Sequence, residues 1–432
     1  MKVLIVGQGG REHTLAWQLG QNPTVDRLFA APGNAGIGEV ATLVPIAAAD
    51  VSGMAEFAER QGIDLTVVGP EAPLVAGIVD EFGARALPVF GPNREAAMLE
   101  GSKSWAKDLC RRHGIPAGDS EAFREVEPAL RFLDEVGPPY VVKADGLAAG
   151  KGVTVTEDRD EAEGAVRACL QHPPGEPATV VIERFLQGRE LSALALTDGR
   201  TVIPLALAQD FKRIGDGDTG PNTGGMGAYS PVPFVDEGLQ ADIVDRILQP
   251  TVRALEADGI EYRGVLYAGL MLTDEGPQVL EFNCRFGDPE TQAILPRLGS
   301  DLCEILLACV EGNLSNYRTL WSDDACVTVV LASEGYPDDP RTGLPVEGLD
   351  GASSVEGVHL FHSGTVLRDG RVLTAGGRVL AVSALGPSLA EARARAYRAC
   401  EAVSFEGMQY RRDIAAEAAA AGEALAEERT GG

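Results

Sequence analysis

The sequence has no excess of basic residues. Its 432 residues carry 37 Lys and Arg against 64 Asp and Glu, a formal net charge of −27. A broadly cationic, nucleic-acid-binding surface is therefore excluded. An acidic shell also repels anionic ligands, so any phosphate site has to be assembled locally from Lys, Arg and backbone N–H groups. The seven cysteines, Cys110, Cys169, Cys284, Cys303, Cys309, Cys326 and Cys400, include no CxxC pair and no zinc-type spacing. Most lie in apolar runs, which reads as reduced core thiols. No apolar run is long enough to span a bilayer, and MKVLIVGQGG opens directly as a strand without the layout of a secretory leader. The expectation is a cytoplasmic protein with no membrane partner. No internal repeat and no GxxxxGK[ST] loop is present.

What is present is a globular composition, 45% hydrophobic and 23% charged, which argues against disorder. The length calls for roughly three or four units of about 100–150 residues. Residues 1–100 alternate short apolar runs with helical stretches: VLIV (3–6), LTVVGPEAPL (65–74) with a turn at its end, and LPVFGP (87–92) read as strands. That alternation predicts a parallel α/β sheet, with ligands at the carboxyl ends of the strands. EGSKSWAKDLCRRHGIP (100–116) reads as one helix stopped at Gly114 and Pro116. PYVVKADG (139–146) and GVTVT (152–156) flank a glycine-rich turn and predict a hairpin. Further strands are expected at TVVIERFL (179–186), LSALALTD (191–198), GVLYAGLMLT (264–273) and QVLEFNCRF (278–286). A last α/β region covers 325–415, with CVTVVLASEGYP, HLFHSGTVL and RVLAVSAL as strands.

Five segments carry chemistry. GQGGREH follows the opening strand but lacks the third glycine of a dinucleotide fingerprint; an anion or substrate site at the helix start competes with a plain strand-to-helix turn. KADGLAAGKG (143–152) sets Lys143 and Lys151 around Gly146, Gly150 and Gly152, so backbone amides and two point charges can meet a polyphosphate. IERFLQGRE (182–190) suits a linker beside adenine and ribose, with Glu190 accepting from ribose hydroxyls; Glu183 has the plainer alternative of a surface acid. In LEFNCRFGDPETQ (280–292), Glu281 and Asn283 lie two apart on a strand and share a face, with Arg285 expected to follow by the same alternation. Carboxylate and amide oxygens are hard donors suited to Mg²⁺ bridging phosphates, and such a face is too polar for a core. DTGPNTGGMGAYSP (218–231) reads as a long loop that either encloses a very small zwitterion or is simply flexible.

In their order, EGSK, KADGLAAGKG, IERFLQGRE, QDFKR, DTGPNTGGMGAYSP and EFNCRFGDPETQ resemble the glycinamide ribonucleotide synthetase (phosphoribosylamine–glycine ligase) family of the ATP-grasp superfamily. The likeness runs from GQGGREH and APGNAG to SGTVL, GGRVL and YRRDIA, nearly the whole chain. It implies a multidomain α/β and α+β protein: a Rossmann-like pre-ATP-grasp domain (1–101), an ATP-grasp domain (102–324) and a C-terminal α/β domain (325–425). Within the ATP-grasp part it implies a lid at about 117–187 and an antiparallel subdomain at about 188–324. The implied reaction is ligation of glycine to 5-phosphoribosylamine in purine (IMP) biosynthesis, through glycyl phosphate, with ATP as co-substrate and Mg²⁺ or Mn²⁺. Another ATP-grasp carboxylate–amine ligase or carboxylase is the nearest alternative, and a nucleotide-binding regulator without catalysis a more distant one.

By this resemblance Lys103 and Lys143 contact the phosphates, Lys151 acts beside Lys143 in catalysis, and 146–152 is a mobile cover. Glu183, Arg184, Leu186, Glu190 and Lys212 complete the ATP site, and Glu281 and Asn283 hold the metal. Arg285 holds the glycine carboxylate or the acyl phosphate, with Asn222, Gly224, Gly225 and Asp288 nearby. Gly9, Gly10, Arg11, Glu12, Glu71 and Arg378 are candidates for phosphoribosylamine. The implied partners are small molecules, in a monomer or weak homodimer. Two departures stand out: Phe211 replaces a histidine in QDFKR, and the strand before EFN carries no acid.

Overall fold

A computed structural model of the chain describes residues 1–147, 152–171 and 178–422. The first sheet is wholly parallel, in the order Thr42–Leu43, Arg27–Pro32, Lys2–Gly7, Leu65–Val68, Val89–Phe90. Sequence patterning finds three of these strands. Arg27–Pro32 escapes it because RLFAAP has no β-branched residue and ends in proline, and Thr42–Leu43 because it is two residues long. The stretch 65–74 is not one strand: Leu65–Val68 is followed by the helix Glu71–Ala76. Strand order reverses beside Lys2–Gly7, so the carboxyl ends of Lys2–Gly7 and Leu65–Val68 form a crevice. The GQGG turn and Glu71 sit at that crevice.

The expected helix over 100–116 is two helices, Met98–Gly101 and Lys103–His113. Ser102 breaks them because it is extended and its hydroxyl accepts from Trp105 N, capping the second helix. Lys103 is thereby the first residue of a helix that stops at Gly114, where φ is 66°. The next sheet is antiparallel: Ser120–Phe123, Val180–Arg184, Tyr140–Ala144, Val153–Thr156. The last two strands form the expected hairpin. Helices Val126–Val136 and Arg159–Leu170 pack on this sheet around a small core of its own, including Leu133, Val142, Val166 and Ile182.

A second antiparallel sheet runs Val202–Pro204, Arg189–Thr197, Gly264–Thr273, Gly276–Asn283. The last sheet runs Gln209–Asp210, Gly227–Ser230, Ala325–Ala332, Arg378–Gly386, Val358–His362. One of its strands, Gly227–Ser230, lies in the stretch 218–231, so the reading of that stretch as a long loop is corrected. It also holds the strand Thr219–Asn222, which pairs with Arg213–Gly215 just before it. Its glycines hid the pattern. Gly227 is buried against Thr328 O, where a Cβ would stand 2.6 Å away, so the strand needs glycine for close backbone approach. All seven cysteines are free, and all but Cys169 are buried. Among the described residues, no helix is long and apolar enough to cross a membrane.

Candidate active site

A cavity of about 820 Å³ opens between the 120–184 sheet, the 189–283 sheet and the crevice of the first sheet. Sequence-selected residues from distant motifs line it: Arg11, Glu71, Lys103, Lys143, Gly146 and Gly152 from the first half of the chain. Glu183, Arg184, Leu186, Glu190, Lys212, Asn222 and Gly224 follow, then Glu281, Asn283, Arg285, Asp288 and Arg378. Gly9, Gly10, Glu12 and Gly225 are not in its wall. Gly150 and Lys151 lie outside the described residues.

At the glycine turn, Lys103 Nζ donates to Gly146 O at 2.9 Å, tying the helix start to that turn. Asp145, which sequence reasoning passed over, fastens the same junction: Ser104 Oγ donates to its Oδ2 at 2.5 Å. Burial pushes the Lys103 ammonium below its ordinary value; nearby Lys143 adds to the shift and Glu281 opposes it. Glu183 is only 2% exposed, which overturns the surface-acid alternative. Lys107 donates to its Oε2 at 3.0 Å, and Lys143 Nζ stands 2.9 Å from its Oε1. The latter contact is an ion pair off the line of a hydrogen bond, so Oε1 has no aligned donor. Burial raises the Glu183 carboxyl, but Lys143 and Lys107 outweigh it and hold it below the usual range. Glu190 pairs with Lys212 at 3.0 Å, and Lys212 also lies 3.7 Å from Glu281.

Glu281 and Asn283 lie on one face of Gly276–Asn283, with buried Phe282 between them on the other. Burial raises the Glu281 carboxyl, but Lys212, Lys143, Lys103 and Arg285 together bring it below its ordinary value. The pair supplies two hard oxygen donors, one of them ionised at neutral pH, which fits a divalent cation shared with phosphates. Among the described residues no three His, Cys, Asp or Glu side chains converge on a metal position, so ligand oxygens have to complete the shell.

Arg285 is not placed by strand alternation, because the strand ends at Asn283. Its guanidinium is held instead by Glu100 at 3.0 Å, Glu71 at 3.3 Å and Asn283 Oδ1 at 3.2 Å. Burial alone would lower its pKa; Glu100 and Glu71 raise it above the ordinary value. Glu100 also accepts from Cys284 N at 2.8 Å. It was missed although it opens the EGSK motif, since a lone acid on a helix usually reads as solvated.

At the N-terminal turn, Glu12 points back into the fold. It accepts from Gly9 N and from Arg11 Nε, both at 2.5 Å, and is 2% exposed. Its expected role as a substrate ligand is therefore corrected to that of a cap for the helix Gly10–Gly20. Gly10 is closed off too: a Cβ there would meet Ser363 Oγ at 2.6 Å and Gln292 Nε2 at 2.7 Å. Arg378 pairs with Asp288 at 2.8 Å and donates to the carbonyls of Asp288 and Gly224. Gly224 N donates to Tyr336 Oη at 2.9 Å, so the 222–225 turn is clasped by the last domain. Gly225, with φ +107°, packs under Pro289 and takes no part in the wall.

At position 211 the Phe211 ring borders the cavity, 4.8 Å from the Arg411 guanidinium and 6.2 Å from the Tyr229 ring. Two more acids went unnoticed. Asp210 faces Lys212, Glu290, Glu190 and Glu281; burial pushes its carboxyl up to about 8, the nearby acids add to this and Lys212 opposes it. Glu290 is 3% exposed and accepts from Tyr267 Oη at 2.5 Å and Ser192 Oγ at 3.1 Å. Only the fold brings these acids to the cavity, so no spacing could reveal them.

The chain matches family models of phosphoribosylglycinamide synthetase: the N domain over residues 1–100, the ATP-grasp (A) domain over 101–291 and the C domain over 326–417. It is 49% identical over 415 residues to phosphoribosylamine–glycine ligase of Agrobacterium fabrum, covering 96% of this chain and 98% of that one. It is 51% identical over 419 residues to the Allochromatium vinosum ligase, covering 96% and 98%. The crystal structure of phosphoribosylamine–glycine ligase from Thermotoga maritima superposes with a TM-score of 0.83 at 35% identity, covering 96% of this chain and all of that one.

Proposed function

The chain belongs to the phosphoribosylglycinamide synthetase family of ATP-grasp ligases in purine biosynthesis, and we propose how its cavity joins glycine to 5-phosphoribosylamine. A free carboxylate is a poor acyl donor because its oxygen leaves badly. In the first step a glycine carboxylate oxygen attacks the γ-phosphorus of ATP and the bond to ADP breaks, giving glycyl phosphate. In the second, the amine of phosphoribosylamine attacks the acyl carbon and phosphate leaves, the amine giving up one proton. No protein nucleophile is required.

Phosphoryl transfer asks the protein to position reactants and offset charge. Glycine carboxylate and γ-phosphate repel, by about 4 kcal/mol per pair of unit charges at about 4 Å and an effective dielectric near 20. Lys103 and Lys143 are placed to offset this on the phosphates, and Arg285 on the glycine carboxylate or acyl phosphate. Glu281 and Asn283 would hold Mg²⁺ or Mn²⁺, which supplies neutralising charge to the triphosphate. Arg184, Leu186 and Glu190 form the adenosine side, and Arg11, Glu71 and Arg378 the phosphoribosylamine side. Asn222 and Gly224 border glycine. Gly146 and Gly152 border the same cavity, and residues 148–151 between them, expected as its cover, lie outside the described residues. The domain plan that goes with this is 1–101, a lid near 117–187, an antiparallel subdomain near 188–324, and 325–425. The chain works in the cytoplasm on small molecules alone, as a monomer or weak homodimer.

One observation carries the reading: Lys103, Lys143, Glu281, Asn283 and Arg285, from three separate motifs, border a single cavity. The test is phosphate release with ATP, Mg²⁺ and a panel of carboxylates. Turnover is expected only with glycine and phosphoribosylamine together, and is lost on chelation. Glu281→Ala should abolish it with an unchanged melting temperature; near-normal turnover in that variant refutes the metal assignment.

A further inference from the structure

Lys107 lies one helical turn beyond Lys103 on Lys103–His113, and neither the motifs nor the proposed mechanism gives it a task. Its side chain is 9% exposed and its ammonium makes two contacts, with Glu183 Oε2 at 3.0 Å and Val279 O at 3.2 Å. These join three elements: the helix, the strand Val180–Arg184 of the 120–184 sheet, and the strand Gly276–Asn283 of the neighbouring sheet. Glu183 is the last residue but one of its strand, just before the 185–188 linker between the two sheets. Lys143 has the matching arrangement. Its Nζ stands 2.9 Å from the other oxygen of Glu183 and donates to Leu280 O at 3.2 Å.

One carboxylate thus serves two ammonium groups, each of which also takes a neighbouring carbonyl on Gly276–Asn283. We infer that Lys107 is a positioning residue for ATP use: by holding Glu183 Oε2 it keeps Oε1 for Lys143, and so fixes the Lys143 ammonium at the root of the 120–184 sheet. This rests on the phosphate-contact role proposed for Lys143. An ammonium has three N–H bonds. Leu280 O takes one of them and the off-line ion pair with Glu183 orients the ammonium, so Lys143 keeps an N–H for a phosphate oxygen. Without Lys107, both Glu183 oxygens turn to Lys143 and compete with the nucleotide for it. Burial lowers the Lys107 ammonium and Glu183 opposes that, so the two depend on each other for their charge. Breaking such a pair from one side is costly, but here Lys143 remains to partner the acid.

Lys107→Met keeps the stem and removes the charge. In the full chain it is expected to raise KM for ATP and lower kcat, about tenfold or more in kcat/KM, with KM for glycine unchanged. Lys107→Arg, which keeps the charge, should recover part of the loss. In a Glu183→Gln background Lys107→Met should cost little more, because both act through one carboxylate. Wild-type KM for ATP and kcat in Lys107→Met overturn the inference. So does a loss that multiplies in full with that of Glu183→Gln, which would mean Lys107 acts on the nucleotide independently. A fall in all kinetic constants together with melting temperature, unrelieved in Lys107→Arg, would make it a structural strut and also overturns it. Failure of the ligase reading is distinct: the wild-type chain would then release no phosphate with glycine.

Discussion

Acidification should loosen the seam between the first and last domains, and His13 supplies a quantity to measure. The helix Gly10–Gly20 packs on the strand Val358–His362, where His362 N donates to His13 Nδ1 at 2.7 Å. Asn34 Nδ2 donates to His362 O at 2.7 Å alongside. His13 must therefore be neutral, with its proton on Nε2. Burial, aided by nearby His362, lowers its pKa to about 3, and burial lowers that of His362 to about 4. An unfolded chain takes up these protons below the ordinary imidazole value of 6.5, whereas the native fold refuses them. The stability each neutral ring gives is thus lost as pH falls from about 6.5 towards the native value. At pH 5 the His13 share is RT ln(1 + 10^1.5), about 2 kcal/mol. His13→Asn keeps an acceptor where Nδ1 stood but cannot titrate. The stability gap between wild type and variant should therefore move by about 2 kcal/mol in the variant's favour between pH 7.5 and pH 5. Asp210, raised to about 8, has the opposite sign: its contribution is lost as pH rises through about 8. It is common to both proteins and cancels in the difference. Urea titrations read by tryptophan fluorescence include a report on this seam, since Trp17, one of three tryptophans, lies 4.6 Å from His359 and 5.7 Å from Phe361 by ring centroids. A gap that stays constant with pH, or a His13 NMR signal titrating near 6.5, refutes the reasoning.

Two further outcomes probe the glycine side. Arg285→Ala should raise KM for glycine and lower kcat, because Glu71 and Glu100 are left facing each other with no cation between them; a change confined to KM for ATP would mean the arginine serves another substrate. Gly225→Ala should destabilise the protein by roughly 1–3 kcal/mol and weaken glycine use, since φ is +107° and the new Cβ would stand 2.4 Å from Pro289 Cδ. Unchanged melting temperature and glycine kinetics would show that the turn tolerates a side chain.

How much of this was legible in the sequence depended on range. Glu281 and Asn283 were readable because strand periodicity is local, and the hairpin around 143–156 because a glycine turn between two β-branched runs has few other solutions. Arg285 was assigned to the right neighbourhood for the wrong reason: alternation ends with the strand, and Glu100 and Glu71 hold the guanidinium from far along the chain. Glu12 shows the reverse failure. An acid in a glycine turn looks like a ligand group, but Gly7 and Gly69 leave space that its carboxylate fills, with a Cβ at Gly69 falling 2.1 Å from Oε1. Lys107, Asp210 and Glu290 carry no spacing signal, because what makes each notable is a partner on another element.

Pairing also resolves how a chain of net charge −27 can handle ATP. The cationic side chains at the cavity are not a bare positive patch. Lys143 and Lys107 share Glu183, Lys212 has Glu190, Arg285 has Glu71 and Glu100, and Arg378 has Asp288. Each acid fixes its cation before any ligand arrives, so little side-chain ordering is left to do on binding. The same pairing nearly cancels the charge the nucleotide would otherwise meet, and the protein beyond the cavity is acidic. On the metal role proposed for Glu281 and Asn283, attraction for a tetra-anionic nucleotide would then come chiefly from the divalent ion bound with it, with the acid–amide pair as the electrostatic centre of the site and the lysines as its alignment.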